Sequence, residues 1–470
     1  MAFHTQSLDR SAAVKKQPDL RGPLQLFAVA APGLEELVHR ELQSLPSLHP
    51  SVAPANLQVV PGGVLFTGDL STVVSANLHL RCASRVLLRF AEIEARELTK
   101  LERALALLPW HLLLPPRARV DLGVHVHCER CRLYHTGAIA DCVARALSAS
   151  GYAPLPTTMP ASTEDLSDQA SPSASDITFD SDSDSDRAGS AGRALASPAT
   201  PVLGVWLRGQ RDRFTVSIDT SGALLHMRGY RREEGAAPLR ETLAAAILQL
   251  AGYATGPLYD PMCGSGTLAI EAALLALRRA PGLGRRFAFS SWPSLPGHLW
   301  PDLVEQARAR EQSGPTLKTA SPIWASDRDP QVVDVARRNA ERAGVADRIH
   351  FSVADVGMLR LPSALPFAGH GSLPGLPPGL VICNPPYGRR IGDANLGGLY
   401  RKLARLVRSA PGWRMALLTA SPQLAHLALR HASAIPLHSG GLKVALYLDA
   451  RVPPVVDGKA AGAPQPGSSV

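Results

Sequence analysis

Two short stretches combine residue types that could carry chemistry. In the first, Tyr259-Asp260-Pro261-Met262-Cys263-Gly264-Ser265-Gly266-Thr267, a short apolar run stops at two spaced glycines, and a helix-forming stretch (268–277) begins at once. A strand, a tight glycine turn and a helix start are the parts of a nucleotide-type site. Gly264 and Gly266 can take positive φ and admit a ligand close to the backbone, and the helix start offers free N–H groups. Gly-x-Gly also occurs in many turns that bind nothing, so its weight comes from Asn384-Pro385-Pro386-Tyr387, which closes a second apolar run at 379–383. Two prolines fix φ and remove donors, leaving carbonyls that can only accept beside the Asn side-chain carbonyl. Acceptors set against the two hydrogens of an exocyclic base amine bias its nitrogen toward a tetrahedral nucleophile, and Tyr387 can stack on the base. Alone, the tetrapeptide reads as a Pro-rich turn; after the glycine turn it reads as a site.

A scaffold must bring these stretches together. The second half alternates strand and helix signals, the pattern of a parallel sheet with crossover connections. Strands are predicted at 258–260, 323–327, 349–354, 380–383 and 415–419, with a closing hairpin at 434–437 and 444–448. Ligands of open α/β sheets bind outside the strands' carboxyl ends, so Asp260, Asp327, Asp355 and Asn384 are expected to face one crevice. Asp327, ending the second strand, can accept both hydroxyls of a ribose. Asp355 could accept from an adenine amino group, or be an ordinary loop residue; the sequence leaves both open. Asp329, directly before Pro330, has a helix cap's place, which frees Asp327 for a ligand. Cys263 has no His in fixed relation to it and is read as packing.

The remaining chain bounds the function. With 470 residues, two to four domains are expected, each able to bury a core. Apolar runs break well before the roughly 18 residues a membrane span needs, and no secretory signal is visible at the start. Six cysteines make no disulfide framework in so long a chain, which points to a reducing cytoplasm. The net charge is +9; residues 161–200 hold eight acids and two arginines, a net of −6, so the remainder carries +15. A basic body suits a polyanionic partner. Upstream, strands are expected at 24–29, in a pair across 59–67, and at 85–93, 119–127, 202–207 and 213–218, with helices at 34–42, 70–80, 97–108 and 136–148. Cys128-Glu129-Arg130-Cys131 with His125, His127, His135 and Cys142 could suggest zinc, but a second Cys-x-x-Cys is missing and no metal is expected. Arg130, Arg132 and Tyr134 are candidates for RNA phosphate contact, against the plainer reading of a solvated basic loop. Ser181-Asp182-Ser183-Asp184-Ser185-Asp186 has almost nothing to bury, and the segment around it is read as disordered.

Asp260-Pro261-Met262-Cys263-Gly264-Ser265-Gly266-Thr267 and Asn384-Pro385-Pro386-Tyr387-Gly388 resemble motifs I and IV of class I S-adenosylmethionine-dependent RNA guanine-N2 methyltransferases. Asp219-Thr220-Ser221-Gly222, Arg228-Gly229-Tyr230-Arg231 and Pro238-Leu239-Arg240-Glu241-Thr242-Leu243 resemble the segment leading into motif I. Asn77-Leu78-His79-Leu80-Arg81 and Ser84-Arg85-Val86-Leu87-Leu88 resemble the family's ferredoxin-like and THUMP region. The resemblance implies an α/β fold: a Rossmann-like class I methyltransferase domain with a doubly wound, mostly parallel seven-stranded sheet, behind an N-terminal α+β ferredoxin-like/THUMP region. It implies a ferredoxin-like part (21–70), a THUMP domain (71–155) and the methyltransferase domain (201–451), to which composition adds a flexible start (1–20), the acidic insertion (156–200) and a loose tail (452–470). By the same likeness Asp260, Gly264 and Gly266 hold the cofactor's methionine moiety, Asp327 its ribose and Asp355 its adenine, with Pro261, Ser265 and Thr267 also at the cofactor. Asn384, Pro385, Pro386 and Tyr387 would hold the guanine, most naturally in 23S ribosomal RNA, free or in a pre-ribosomal particle. Transfer would be an in-line displacement with no metal or covalent intermediate. The chain departs from the family pattern in the acidic insertion and in having no length for the second methyltransferase domain that some relatives carry. Methylation of tRNA guanine, of adenine N6 or of protein glutamine uses similar logic, and a non-catalytic RNA-binding assembly factor is the alternative outside enzymes.

Overall fold

The computed structural model describes residues 14–16, 19–46, 53–155, 200–233, 239–313, 321–361, 379–387, 396–410, 412–439 and 441–449. All but the last residue of the acidic segment expected at 156–200, the tail from 452 and most of the first 20 residues lie outside them. Two sheets organise the chain. The first contains β1 (Val14–Lys16), β2 (Leu24–Ala30), β3 (Ala55–Val60), β4 (Gly63–Gly68), β5 (Ala83–Glu94), β6 (Arg119–Glu129), β7 (Ala153–Leu155), β8 (Val202–Gln210) and β9 (Arg213–Asp219). Their order is β3-β4-β2-β5-β9-β8-β6-β7, with β1 on β5.

The second sheet contains β10 (Leu258–Asp260), β11 (Ile323–Asp327), β12 (Ile349–Val353), β13 (Gly379–Cys383), β14 (Trp413–Thr419), β15 (Ala432–Ser439) and β16 (Leu442–Asp449), ordered β12-β11-β10-β13-β14-β16-β15. Pairing is parallel from β12 to β14; β16 runs antiparallel to β14 and β15. Every residue of β13 and β14 is buried. That is the condition of inner strands covered on both faces, and it explains their continuous apolar runs. The strand order reverses at β10, which lies between β11 and β13. Such a switch point opens the crevice in which doubly wound sheets bind ligands.

Where the sequence places residues 201–219 with the second half, the structure puts β8 and β9 in the first sheet. β8 runs parallel to β6 from Asp121↔Val202 to Glu129↔Gln210, and β9 is antiparallel to β5. The stretch 281–300 leads into a helix, Leu299–Gln312, that buries Leu299, Leu303 and Ala307. The two units are in contact: Gln249 Nε2 donates to Glu41 Oε1 (2.7 Å), Arg81 Nη2 donates to the Leu274 carbonyl (3.3 Å), and the Gly282 N–H donates to the Leu78 carbonyl (2.9 Å). Among the described residues no helix is long and apolar enough to cross a membrane.

Candidate active site

β10 ends in Asp260, and the chain turns through Gly264 (φ 52°) and Gly266 (φ 87°) into the helix Thr267–Ala276. Both glycines are left-handed, a region costly for residues with a Cβ. Their surroundings differ. A Cβ on Gly266 would lie 3.0 Å from Ala336 Cβ, so this glycine lets two helices pack, whereas a Cβ on Gly264 would meet nothing within 4 Å. The backbone above Gly264 is open, as a cradle for a ligand requires.

The carboxylates at the strand ends are arranged differently from one another. Asp260 is buried; its Oδ1 accepts from the Met262 N–H (3.2 Å), and its Oδ2 has no hydrogen-bond partner among the described residues. Burial, with the Asp327 charge adding to it, pushes Asp260 up to about 8. Asp327 ties β11 to the glycine turn: its Oδ2 accepts from the Gly264 N–H and its Oδ1 from the Asp329 N–H, both at 3.2 Å. Asp329 caps the next helix by accepting from the Gln331 N–H (2.9 Å). Asp355 lies one strand farther out. It accepts from Lys402 Nζ (2.9 Å) and the Gly357 N–H (2.7 Å), and the Lys402 hydrogen bond holds it below the usual carboxylate range. Ser265 and Thr267 are buried with their hydroxyls 3.5 Å apart, and Asn339 Nδ2 donates to the Ser265 carbonyl (3.1 Å). Cys263 is buried, and burial raises its thiol well above the ordinary value, so it is packed rather than poised as a nucleophile.

β13 lies directly against β10, with Leu258↔Leu380 and Tyr259↔Val381 in register, so Asn384 follows the strand adjoining the glycine turn. Asn384 Oδ1 is buried and has no hydrogen-bond partner among the described residues. Pro385 is buried, and Tyr387 is partly buried against the core. The Pro386 carbonyl accepts from the Tyr400 hydroxyl (3.2 Å), which also lies 3.1 Å from Thr419 Oγ1. Three adjacent strands thus bring Asp260, Gly264, Asp327 and Asn384 to one end of the sheet. Their unpaired acceptors, Asp260 Oδ2 and Asn384 Oδ1, suit a ligand that brings N–H groups or positive charge.

Arg130, Arg132 and Tyr134 sit elsewhere, in the loop after β6. Arg130 has a positive φ (53°), Tyr134 is 66% exposed with its ring on His135 (4.2 Å), and the Arg132 N–H donates to Asp212 Oδ1 (2.6 Å). Cys128 and Cys131 both pack on Gly209 in the neighbouring strand. Sequence reasoning missed Tyr400 and Lys402, which lie on one helix, Leu396–Arg408, and touch Pro386 and Asp355. It also gave no side-chain role to Arg228, which forms a buried ion pair with Glu271 behind the glycine turn; Tyr230 donates to the same carboxylate (2.8 Å).

Residues 228–437 match the family model described as the RMKL-like, methyltransferase domain, and residues 25–87 match that of the RlmL ferredoxin-like domain. Among solved structures, a Listeria monocytogenes protein named as a predicted N6-adenine-specific DNA methylase is 28% identical; the match covers 91% of this chain and 96% of that one (TM-score 0.68). SMU.472, named as a methyltransferase and solved in complex with SAH, is 25% identical over 91% of this chain and 98% of its own (TM-score 0.69). TrmN from Thermus thermophilus shares the fold, at 22% identity over 90% of this chain and 98% of its own (TM-score 0.56).

Proposed function

From the premise that residues 228–437 are an RMKL-like methyltransferase domain whose cofactor is S-adenosylmethionine, we propose that this chain methylates the exocyclic N2 amine of a guanosine in RNA. The RlmL ferredoxin-like domain ahead of it favours 23S ribosomal RNA as that substrate. When bound, S-adenosylmethionine supplies a methyl group activated by a positive sulfur. The residues to hold it are Asp260, Pro261, Gly264, Ser265, Gly266 and Thr267 for its methionine part, Asp327 for the ribose and Asp355 for the adenine. The open backbone at Gly264 fits a ligand at this turn, and a cationic ligand bound there would favour loss of the proton that buried Asp260 otherwise keeps up to about pH 8.

One observation carries the reading: Asn384 Oδ1 is a buried acceptor with no donor among the described residues, one strand from the glycine turn. Leaving such a group unmade costs about 1–3 kcal/mol, a cost that a substrate amine would offset. The Asn384 and Pro385 carbonyls accept the amine's two hydrogens and hold its lone pair toward the glycine turn. Tyr400 fixes the Pro386 end of the loop, and Tyr387 covers the base. Positioning and fixed dipoles supply most of the acceleration. Arg130, Arg132 and Tyr134 are assigned to RNA phosphates in the N-terminal unit.

The named activity of the Listeria relative supports a second reading, methylation of adenine N6, for which the same carbonyls serve. Nucleoside analysis of methylated product separates the two. N2-methylguanosine from RNA supports the proposal, N6-methyladenosine the second reading, and no methylated nucleoside from any nucleic acid refutes both.

A further inference from the structure

The helix Leu396–Arg408 reads Leu-Gly-Gly-Leu-Tyr-Arg-Lys-Leu-Ala-Arg-Leu-Val-Arg: four cations and no carboxylate. Tyr400, Leu403, Ala404, Leu406 and Val407 are buried. The opposite side carries Arg401, Arg405 and Arg408, all exposed, at the i, i+4, i+7 spacing of one helix face. Lys402 is spoken for by Asp355 at 2.9 Å. The three arginines form no ion pair among the described residues; Arg408 Nε donates only to the Ala404 carbonyl of its own helix (3.2 Å).

Some arginines elsewhere in this unit do have carboxylate partners: Arg338 and Arg342 of the helix Pro330–Arg342 share Glu233, and Arg279, beyond the end of the helix Thr267–Ala276, pairs with Glu311. Like charges three and four residues apart work against a helix. The helix dipole offsets this for Arg405 and Arg408 in the last turn, but it gives no reason for Arg401, nearer the middle. A stripe without counter-charge among the described residues suits an anion from outside.

Its position says which anion. Arg401 directly follows Tyr400, whose hydroxyl holds the Pro386 carbonyl, so one rigid helix joins the stripe to the candidate base-holding loop. From Arg401 to Arg408 the helix rises about 10 Å, a length over which the three guanidiniums can follow a sugar-phosphate backbone. We infer that Arg401, Arg405 and Arg408 form a ridge that binds the phosphate backbone of the RNA flanking the methylated nucleotide. This rests on the RNA reading above and adds to it the surface that sets where the strand lies.

Counterion release gives the test. Each phosphate contact on a single strand contributes about 0.7 to the slope of log affinity against log salt. RNA binding is measured between about 50 and 200 mM salt for the wild type, for the triple variant R401Q/R405Q/R408Q and for the charge-keeping R401K/R405K/R408K. The neutral variant should show a slope shallower by about 2 and the lysine variant a slope near wild type, with S-adenosylmethionine affinity by calorimetry unchanged in both. If the triple variant fails to fold, Arg405→Gln alone should lower the slope by about 0.7. Equal slopes with intact RNA methylation overturn the ridge and leave the RNA reading standing. A wild type that ignores RNA, or prefers duplex DNA at equal salt, overturns the RNA reading and the ridge with it.

Discussion

The hydroxyl of Tyr400 donates to the carbonyl of Pro386 at 3.2 Å, so the Asn384-Pro385-Pro386-Tyr387 loop is braced from a helix that begins after it in the chain. Tyr400 is fully buried, and its oxygen also lies 3.1 Å from Thr419 Oγ1 at the end of β14. Tyr400→Phe keeps the ring and its packing but removes the brace. A hydrogen bond of this kind is worth about 1 kcal/mol net. If the brace orients the loop, turnover should fall by up to about tenfold while S-adenosylmethionine affinity stays put. Steady-state kinetics on the methylated RNA checks this, and an unchanged kcat would show that the loop holds its shape without Tyr400.

Asn384→Ala separates activity from stability. Loss of an aligned acceptor at the reacting amine is expected to lower turnover by on the order of 10²-fold or more. Because Asn384 Oδ1 has no partner among the described residues, truncation removes a buried unsatisfied group, and the melting temperature should hold or rise. A variant that methylates RNA at the wild-type rate would refute the assignment.

The two glycines of the turn should respond differently to alanine. Both substitutions incur left-handed strain of about 1–2 kcal/mol. Gly266→Ala adds a contact 3.0 Å from Ala336 Cβ and should destabilise the fold further, whereas Gly264→Ala points its methyl into open space. Gly264→Ala is therefore expected to be the more stable variant and yet to bind S-adenosylmethionine weakly. Urea denaturation and calorimetry on the pair check the contrast; matching losses of stability would contradict it.

The strand ends bearing Asp260, Asp327 and Asn384 were legible because each closes an apolar run of strand length. The RMKL-like match and the doubly wound topology agree with that reading. Membership of β8 and β9 in the first sheet was not legible. Their partners, β6 and β5, lie far upstream across the acidic segment, and local periodicity carries no record of a distant partner. Tyr400 was hidden for a similar reason: an aromatic at a buried helical position looks like any core residue until its hydroxyl is seen to reach Pro386. Asp355 appeared as a free carboxylate, since nothing local marks Lys402, 47 residues on, as its partner.

Arg228 and Glu271 form an ion pair with both side chains buried, and Arg228 also donates to the Arg81 carbonyl at 2.8 Å. Arg228→Met would strand a buried carboxylate, at a cost of about 3–5 kcal/mol. Replacing both partners, in Arg228→Met with Glu271→Leu, removes the stranded charge and should recover most of that loss. Chemical denaturation of the single and double variants measures it; a double variant no better than the single would place the value of Arg228 in its contact with Arg81 instead.

Asp260 makes stability depend on pH in a defined direction. Burial, aided by Asp327, pushes it up to about 8, from an ordinary value near 4. Between those limits the native carboxyl keeps a proton that the unfolded chain has released. The unfolded state therefore binds fewer protons, and stability falls as pH rises from about 4 to about 8. Below that window both states are protonated and above it both are ionised, so the slope from this group vanishes. Glu241, raised by burial to about 7, acts with the same sign over a narrower range. Asp260→Asn removes one contribution and leaves the other. The variant's gain over wild type in urea unfolding should grow steadily from about pH 5 to about pH 8, with Glu241 cancelling in the difference. A gain that stays constant across that range would mean that Asp260 is already ionised in the native fold, and that its unpaired oxygen carries charge before any ligand arrives.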